Sequence, residues 1–149
     1  MSRKYLDTSF LVPLVLPEAT SAGVEMFLQA LEGDWLSTSV WAHTEFVSLT
    51  SRKVRMGELS EADALEVLKV FEQMLADSFQ MLTPSAADFA MAATFLRNYR
   101  TGLRAGDALH LAIAHNQGRR EVLSLDRGLV RAATTLGVSA STGFLLPET

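Results

Sequence analysis

Short apolar runs alternate with longer stretches of helical periodicity along the chain. Lys4-Tyr5-Leu6 is an apolar run that stops at Asp7 and predicts a first buried strand. A helical stretch carrying Pro13 and Pro17 follows. Over residues 21–31, Val24, Phe27, Leu28 and Leu31 recur at helical spacing, with Gly33 where the helix should stop. Trp35-Leu36 predicts a second short strand. Ser39 is placed to cap a helix running to about Val54, with Ala42, Phe46 and Leu49 as its apolar stripe and Gly57 as its end. Ser60 followed by Asp63 approximates a capping box for a helix through Ala64, Leu65, Leu68, Phe71 and Leu75, toward Ala76. A strand is expected over 79–82. Thr83-Pro84 then offers a hydroxyl cap and a proline at the first helical position for a helix to about Arg97, with Gly102 as the break. Ala105, Ala108, Leu109, Ala112 and Ile113 stand at relative positions 0, 3, 4, 7 and 8, the spacing of a helix with a narrow apolar face of small residues. A strand over 121–125, a helix over 126–136 and a last strand over 138–140 complete the pattern. Strands alternating with helices imply parallel sheet units, hence a single α/β domain over 1–146 with a loose tail over 147–149.

Composition narrows the chemistry. A chain of 149 residues, 48% hydrophobic and 20% charged, suits one core and argues against disorder. The apolar run of residues 10–16 contains Pro13 and is far shorter than the roughly 20 residues a membrane span needs. Arg3 and Lys4 are followed by Asp7 inside what would be the apolar part of a secretory signal, so a cytoplasmic location is expected. The absence of cysteine excludes thiolate zinc sites, cysteine nucleophiles and iron–sulfur clusters, leaving oxygen and imidazole as ligands. A formal charge of -4 argues against a nonspecific DNA coat. It leaves open a metal-dependent nuclease, where bound cations invert the local field.

The most informative feature is where charge is missing. Asp7 is the only formally charged residue between Tyr5 and Pro17; Glu45 is alone between Leu36 and Ser51, and Asp107 between Ala105 and Gln117. The strand beginning at Glu121 runs directly into Asp126. An unpaired buried carboxylate is costly, so each of the four needs a cation, hydrogen-bond donors or the surface. Asp7 and Asp126 fall at the carboxyl ends of strands, the edge at which open parallel sheets bind ligands. Asp107 lies in the first turn of its helix and Glu45 about two turns into its own. Convergence of the four would form an oxygen-only cluster, the preference of magnesium or manganese rather than zinc. Separately, Asp7 and Asp126 also serve as helix caps, Asp107 suits a helix N-terminus by its charge, and Glu45, in a stripe with Trp41 and Leu49, is the hardest to explain as a solvated residue.

In order along the chain, Tyr5-Leu6-Asp7-Thr8-Ser9, Thr44-Glu45-Phe46, Ala105-Gly106-Asp107-Ala108-Leu109-His110-Leu111-Ala112 and Leu123-Ser124-Leu125-Asp126-Arg127 resemble the four acidic motifs of PIN-domain ribonucleases, most closely the toxins of VapBC-type toxin–antitoxin pairs. The resemblance implies a PIN-like three-layer α/β/α domain around a central, mainly parallel sheet of four or five strands. It also implies that Asp7, Glu45, Asp107 and Asp126 line a magnesium or manganese site that hydrolyses single-stranded or loop RNA. Asp7 and Asp107 match the acids expected to bind metal most directly. Glu45 matches one that completes the ligand set or orients a metal-bound water, and Asp126 a more variable fourth acid acting through water. Thr8 and Ser9 match supporting hydrogen-bonding positions. A small antitoxin and homodimerisation are the partners the resemblance implies.

Metal-assisted attack of water at phosphorus, with one cation or two about 3.5–4 Å apart, would leave a 5′-phosphate and a 3′-hydroxyl. His43, His110 and His115 are too scattered for a histidine-based, metal-free mechanism, and His110 reads as a packed or exposed ring rather than a partner of Asp107. Arg97, Arg100 and Arg104 precede the Asp107 motif, and Arg119, Arg120, Arg127 and Arg131 surround the Asp126 motif, placed either to hold RNA phosphates near the acids or to form ordinary solvated faces. Arg127 and Arg131, four apart on one helix, are the favoured phosphate clamp. The apolar surplus of Val67, Val70, Phe71 and Met74 suits either a wide core face or a partner surface. Two other functions compete. A noncatalytic PIN-like RNA- or protein-binding module would be expected to lack one or more of these acids. A magnesium-dependent phosphatase or phosphoacceptor wants a late lysine, whereas the lysines are Lys4, Lys53 and Lys69; the phosphatase pattern also wants a second Asp where Ser9 stands.

Overall fold

The computed structural model describes residues 2–31 and 34–148. Five strands, β1 (Arg3–Leu6), β2 (Trp35–Ser39), β3 (Gln80–Leu82), β4 (Glu121–Leu123) and β5 (Ala140–Ser141), form one sheet in the order β3-β2-β1-β4-β5 with every pairing parallel. Helices supply the crossovers: α1 (Thr8–Leu11), α2 (Ser21–Gln29), α3 (Val40–Arg55), α4 (Glu61–Ser78), α5 (Ala86–Leu96), α6 (Ala105–Asn116) and α7 (Arg127–Leu136). Single 3-10 turns follow α1 at Val12–Leu14, where Pro13 has no N–H to continue an α-helix, and precede α6 at Tyr99–Thr101.

Successive side chains of a strand point to opposite faces, and β1 shows how that builds two cores. Tyr5 faces a cluster with Ala92, Phe95, Ala108, Ile113 and Ala133, beneath α5, α6 and α7. Leu6 faces Phe10, Phe46, Phe71 and Leu75, beneath α1 to α4. The result is three layers, α/β/α. Within the second core the rings of Phe46 and Phe71 stack with centroids 3.8 Å apart, locking α3 to α4.

Most boundaries follow the local chemistry read from the sequence. Ser39 caps α3, Ser60 caps α4 and Asp126 caps α7, each through a side-chain oxygen accepting backbone N–H groups. Gly57 and Gly137 take left-handed backbone at helix ends. Four expectations need correction. Helix α5 is capped by Ser85, in a reciprocal box with Asp88, rather than by Thr83 ahead of Pro84. The strand expected to continue to Leu125 ends at Leu123, because Ser124 and Leu125 turn to bond Ser9 and the α7 cap. The last strand lies at Ala140–Ser141, two residues later than its apolar run suggests. Finally, α6 has no narrow face: residues 108–114 are all buried, since the helix is sandwiched between the sheet and α5. Gly33, expected to stop α2, lies outside the described residues. Among them, no helix is long and apolar enough to cross a membrane.

Phe144 is tied back to the second core. Phe144 packs edge-on to Phe10, and residues 146–148 share a cleft with the start of α7. Truncating Phe71 to alanine should cost about 3–5 kcal/mol, as for other fully buried phenylalanines, measured by urea unfolding. A loss below about 1 kcal/mol would mean the α3–α4 stack is not structural.

Candidate active site

Parallel pairing of β2, β1 and β4 brings their carboxyl ends to one edge, with Leu6 opposite Leu123 and the Asp7 amide donating to the Leu123 carbonyl at 3.1 Å. Immediately beyond that edge the chain turns into α1 after β1, α3 after β2 and α7 after β4, so Asp7 and Asp126 leave their strands side by side. Ser9 ties the two exits together. Its hydroxyl donates to Asp7 Oδ1 at 2.6 Å, accepts the Leu125 amide at 2.9 Å and lies 3.2 Å from Ser124 Oγ.

The capping and cluster roles of these acids coincide. Asp7 caps α1 through Oδ1, which accepts the Phe10 amide, and Asp126 caps α7 through Oδ1, which accepts the Gly128 and Leu129 amides. A capping bond restricts each carboxylate to one rotamer, so the helix start aims the acid. Asp107 enters from the first turn of α6, and Glu45 from α3. Gly106 sets the approach of those two helices: a Cβ there would lie 3.1 Å from Glu45 Oε2 and 3.3 Å from the Trp41 ring, whose Nε1 donates to the Gly106 carbonyl.

Glu45 stands on a buried relay that the sequence reading passed over. His110 is 1% exposed and donates from Nε2 to Glu45 Oε1, while its Nδ1 and the Tyr5 hydroxyl share a hydrogen bond at 2.6 Å. Tyr5 Oη in turn pairs with Ser39 Oγ at 2.7 Å, and Thr8 Oγ1 donates to Glu45 Oε1 at 2.6 Å. The three-residue spacing of Asp107 and His110 gave a signal on one helix, but the partner lies on another. His110 therefore belongs to Glu45, and it is neither a loose surface ring nor an inert packed one.

The electrostatics separate the four acids. Burial pushes Glu45 up, but the His110 and Thr8 hydrogen bonds and the His110 charge outweigh it and hold its carboxyl below the usual range. Burial pushes Asp7 up against the opposing pull of His110, Ser124, Ser9 and the Phe10 amide. Asp107 has no such donors; burial first, then the charge of Asp126, push it up to about 6, with Asp7 and Glu45 adding to the repulsion. Of the four, Glu45 alone is hydrogen-bonded to a basic side chain among the described residues. Oε2 of Glu45, Oδ2 of Asp126 and both oxygens of Asp107 accept no hydrogen bond from them.

Among the described residues no group of three or more His, Asp or Glu side chains is already gathered as a ligand set. The donor chemistry nevertheless fits a hard divalent cation, with oxygen ligands only, oxygens free of protein donors and carboxylates that repel one another. Asp88, with Asp7 one of two buried acids among the described residues, is unrelated to the cluster. It binds the Ser85 amide, Asn116 and Gln117, and pins the start of α5 to the end of α6.

Asp107 and Asp126 form part of the wall of a cleft of about 520 Å³ whose other walls carry Arg100, Arg104 and Arg131. Arg127, the other half of the clamp favoured from sequence, lines a different cleft, with Thr20 and residues 146–148. Asp126 and Gly128 line both clefts, so the start of α7 forms the ridge between them, with Arg127 on one side and Arg131 on the other.

With this geometry in place, comparison with known proteins assigns the class. The PIN domain model matches residues 4–134, and the chain belongs to the PIN domain family. The fold is similar to FitAB bound to an IR36 DNA fragment (20% identity, 98% of this chain and 99% of that one, TM-score 0.71). It is also similar to PAE2754 from Pyrobaculum aerophilum (22% identity, 88% and 79%, TM-score 0.60) and to VapBC-1 from nontypeable Haemophilus influenzae (13% identity, 93% and 96%, TM-score 0.65). No curated protein matches the chain.

The raised pKa of Asp107 has a stability consequence. The folded state holds a proton that the unfolded state releases, so without metal this residue's contribution worsens as pH rises from about 4 to about 6 and is fully unfavourable above that. Asp107→Asn should therefore stabilise the metal-free protein by about 1 kcal/mol at pH 8, after allowing for solvent screening of a half-exposed group, and by almost nothing at pH 4. Thermal melts at the two pH values in EDTA test this, and a destabilised variant at pH 8 would contradict it.

Proposed function

We propose that this protein is a divalent-metal-dependent endoribonuclease that hydrolyses phosphodiester bonds in single-stranded or loop RNA, acting as the toxin of a toxin–antitoxin pair. PIN domains are generally nucleases. The observation that carries the reading is the set of carboxylates at the sheet edge, mutually repelling and only partly supplied with donors, beside a cleft lined with arginine. A binding module has no physical need for that arrangement, since the repulsion destabilises the fold without serving adhesion.

Asp7, Asp107 and Asp126 would hold the cation, with Oε2 of Glu45 completing the set. Magnesium, or manganese in its place, supplies charge to neutralise the phosphate and lowers the pKa of water enough for attack at phosphorus. The chain's own residues orient the ligands. Thr8 and His110 hold one oxygen of Glu45 and leave the other turned toward α6. Ser9 and the α1 backbone fix Asp7, and the start of α7 fixes Asp126. A small antitoxin protein as partner is supported by the resemblance to VapBC-type toxins and by the likeness in fold to VapBC-1. Leu65 and Val70 on α4, exposed at 63% and 56%, are apolar surface suited to such a partner or to homodimerisation.

Purified protein freed of any partner, incubated with a pool of structured and unstructured RNAs and with magnesium, manganese or EDTA, should produce metal-dependent cuts bearing 5′-phosphates. Asp7→Asn and Asp107→Asn should each lower that activity by at least about a hundredfold while preserving the fold, asparagine being an equally good cap at position 7. Full activity in either variant would overturn the assignment. Glu45→Gln should weaken manganese binding measured by calorimetry, and an unchanged titration would remove Glu45 from the ligand set.

A further inference from the structure

Arg100, Arg104 and Arg131 are exposed and line one cleft together with Asp107 and Asp126. Their guanidinium groups make no hydrogen bond and no ion pair with any described residue, although two carboxylates share the same walls. They come from three places in the chain: the 3-10 turn Tyr99–Thr101, the residue that precedes α6, and the second turn of α7. Three guanidiniums that line one cleft without a direct ion-pair partner among the described residues remain free to take an incoming anion. Next to Arg100, at the start of the same turn, Tyr99 is 88% exposed. A tyrosine usually buries its ring and leaves only the hydroxyl wet, so a largely exposed aromatic ring next to Arg100 at the end of an arginine-lined cleft has the composition of a single-strand binding surface. Gly102, in left-handed backbone with nothing within 4 Å of where a Cβ would stand, turns the chain between Arg100 and Arg104 and leaves the cleft open at that point.

Resting on the nuclease reading above, we propose that the cleft between the 99–104 turn and α7 is the channel for one arm of the substrate strand, with Arg100, Arg104 and Arg131 gripping successive phosphates and Tyr99 stacking on a base at the rim. The cleft volume of about 520 Å³ is of the size that small-ligand sites occupy, enough for a nucleotide-sized group. Its charges are ordered to suit a phosphodiester chain. Guanidiniums neutralise the flanking phosphates, while the carboxylate wall repels RNA until a cation is bound, so binding along the arm and chemistry at the acids are separable functions. This gives the substrate a direction: the arm leaves the acids on the α6–α7 side of the domain, away from Glu45 and α3. It also divides the arginines, assigning Arg131 to the strand and leaving Arg127 out of it.

Fluorescence anisotropy with a labelled single-stranded RNA of about 12 nucleotides, in EDTA so that no cleavage occurs, tests the channel independently of the nuclease reading. Wild-type protein should bind with a salt-dependent affinity. The variant carrying Arg100→Ala, Arg104→Ala and Arg131→Ala should bind at least about tenfold more weakly, with the slope of log K against log salt reduced by about 2, the value for three phosphate contacts to a single strand. Replacing the same three by lysine should recover part of the loss, and Arg52→Ala, at the far end of α3, should change nothing. Tyr99→Ala should weaken RNA binding by about fivefold or more yet leave binding to an abasic strand of the same length unchanged. Equal binding by wild type and the triple alanine variant, or no binding by wild type at low salt, overturns the channel. Cleavage assayed with manganese on the same preparations then shows whether the nuclease reading survives it. A triple variant that loses binding to an acidic peptide but not to RNA would make the cleft a protein-docking site and overturn the proposal as well.

Discussion

Parallel pairing of β1 between β2 and β4 is the constraint on which the rest depends. With no strand reversed, the chain must leave the sheet at the same edge after β1, β2 and β4, and helix starts crowd together there. Helix starts need acceptors for their free amides, and Asp7 and Asp126 provide them. Asp7 and Asp126 thus reach the same sheet edge through backbone requirements that hold with or without a ligand. The outcome is a concentration of negative charge that hydrogen bonding only partly offsets. Glu45 is well supplied by Thr8 and His110, Asp7 by Ser9 and an amide, and Asp107 by nothing comparable.

That imbalance is what gives the edge its chemical potential. A carboxylate satisfied by the protein has little affinity left for a cation, whereas one held in place and left repelling its neighbours gains by binding one. The relay from Ser39 through Tyr5 and His110 to Glu45 shows how the first core contributes to positioning. Tyr5 is both a central residue of the sheet's buried face and the hydrogen-bond partner that orients the imidazole. Small residues along α6, and Gly106 above all, allow the close approach that brings Asp107 and Glu45 to the same edge.

Much of this was legible in the residues. Alternating strand and helix patterns specify the parallel α/β class, because hydrophobic periodicity is a local property and the crossover rule follows from it. The four acids stood out because each is a solitary charge in an otherwise apolar segment, which is a local signal too. Boundaries failed where two local signals competed: Thr83-Pro84 against Ser85 with Asp88, and the apolar run 121–125 against the demands of the α7 cap. In each case the tertiary contact that decided between them joins residues far apart in sequence, as Ser9 does with Leu125.

By itself, the sequence determined the order of elements, most of the caps and the four solitary acids, because each depends on neighbours within a turn or two of the chain. Only the tertiary structure decided which charges meet. His110 joined Glu45 across 65 positions, and Arg131 parted from Arg127 to face Arg100 and Arg104 across a cleft. The physical reason is the short range of the interactions involved. A hydrogen bond acts over about 3 Å and a screened charge over about 10 Å, so their partners are fixed by the packing of helices on the sheet, which spacing along the chain does not encode.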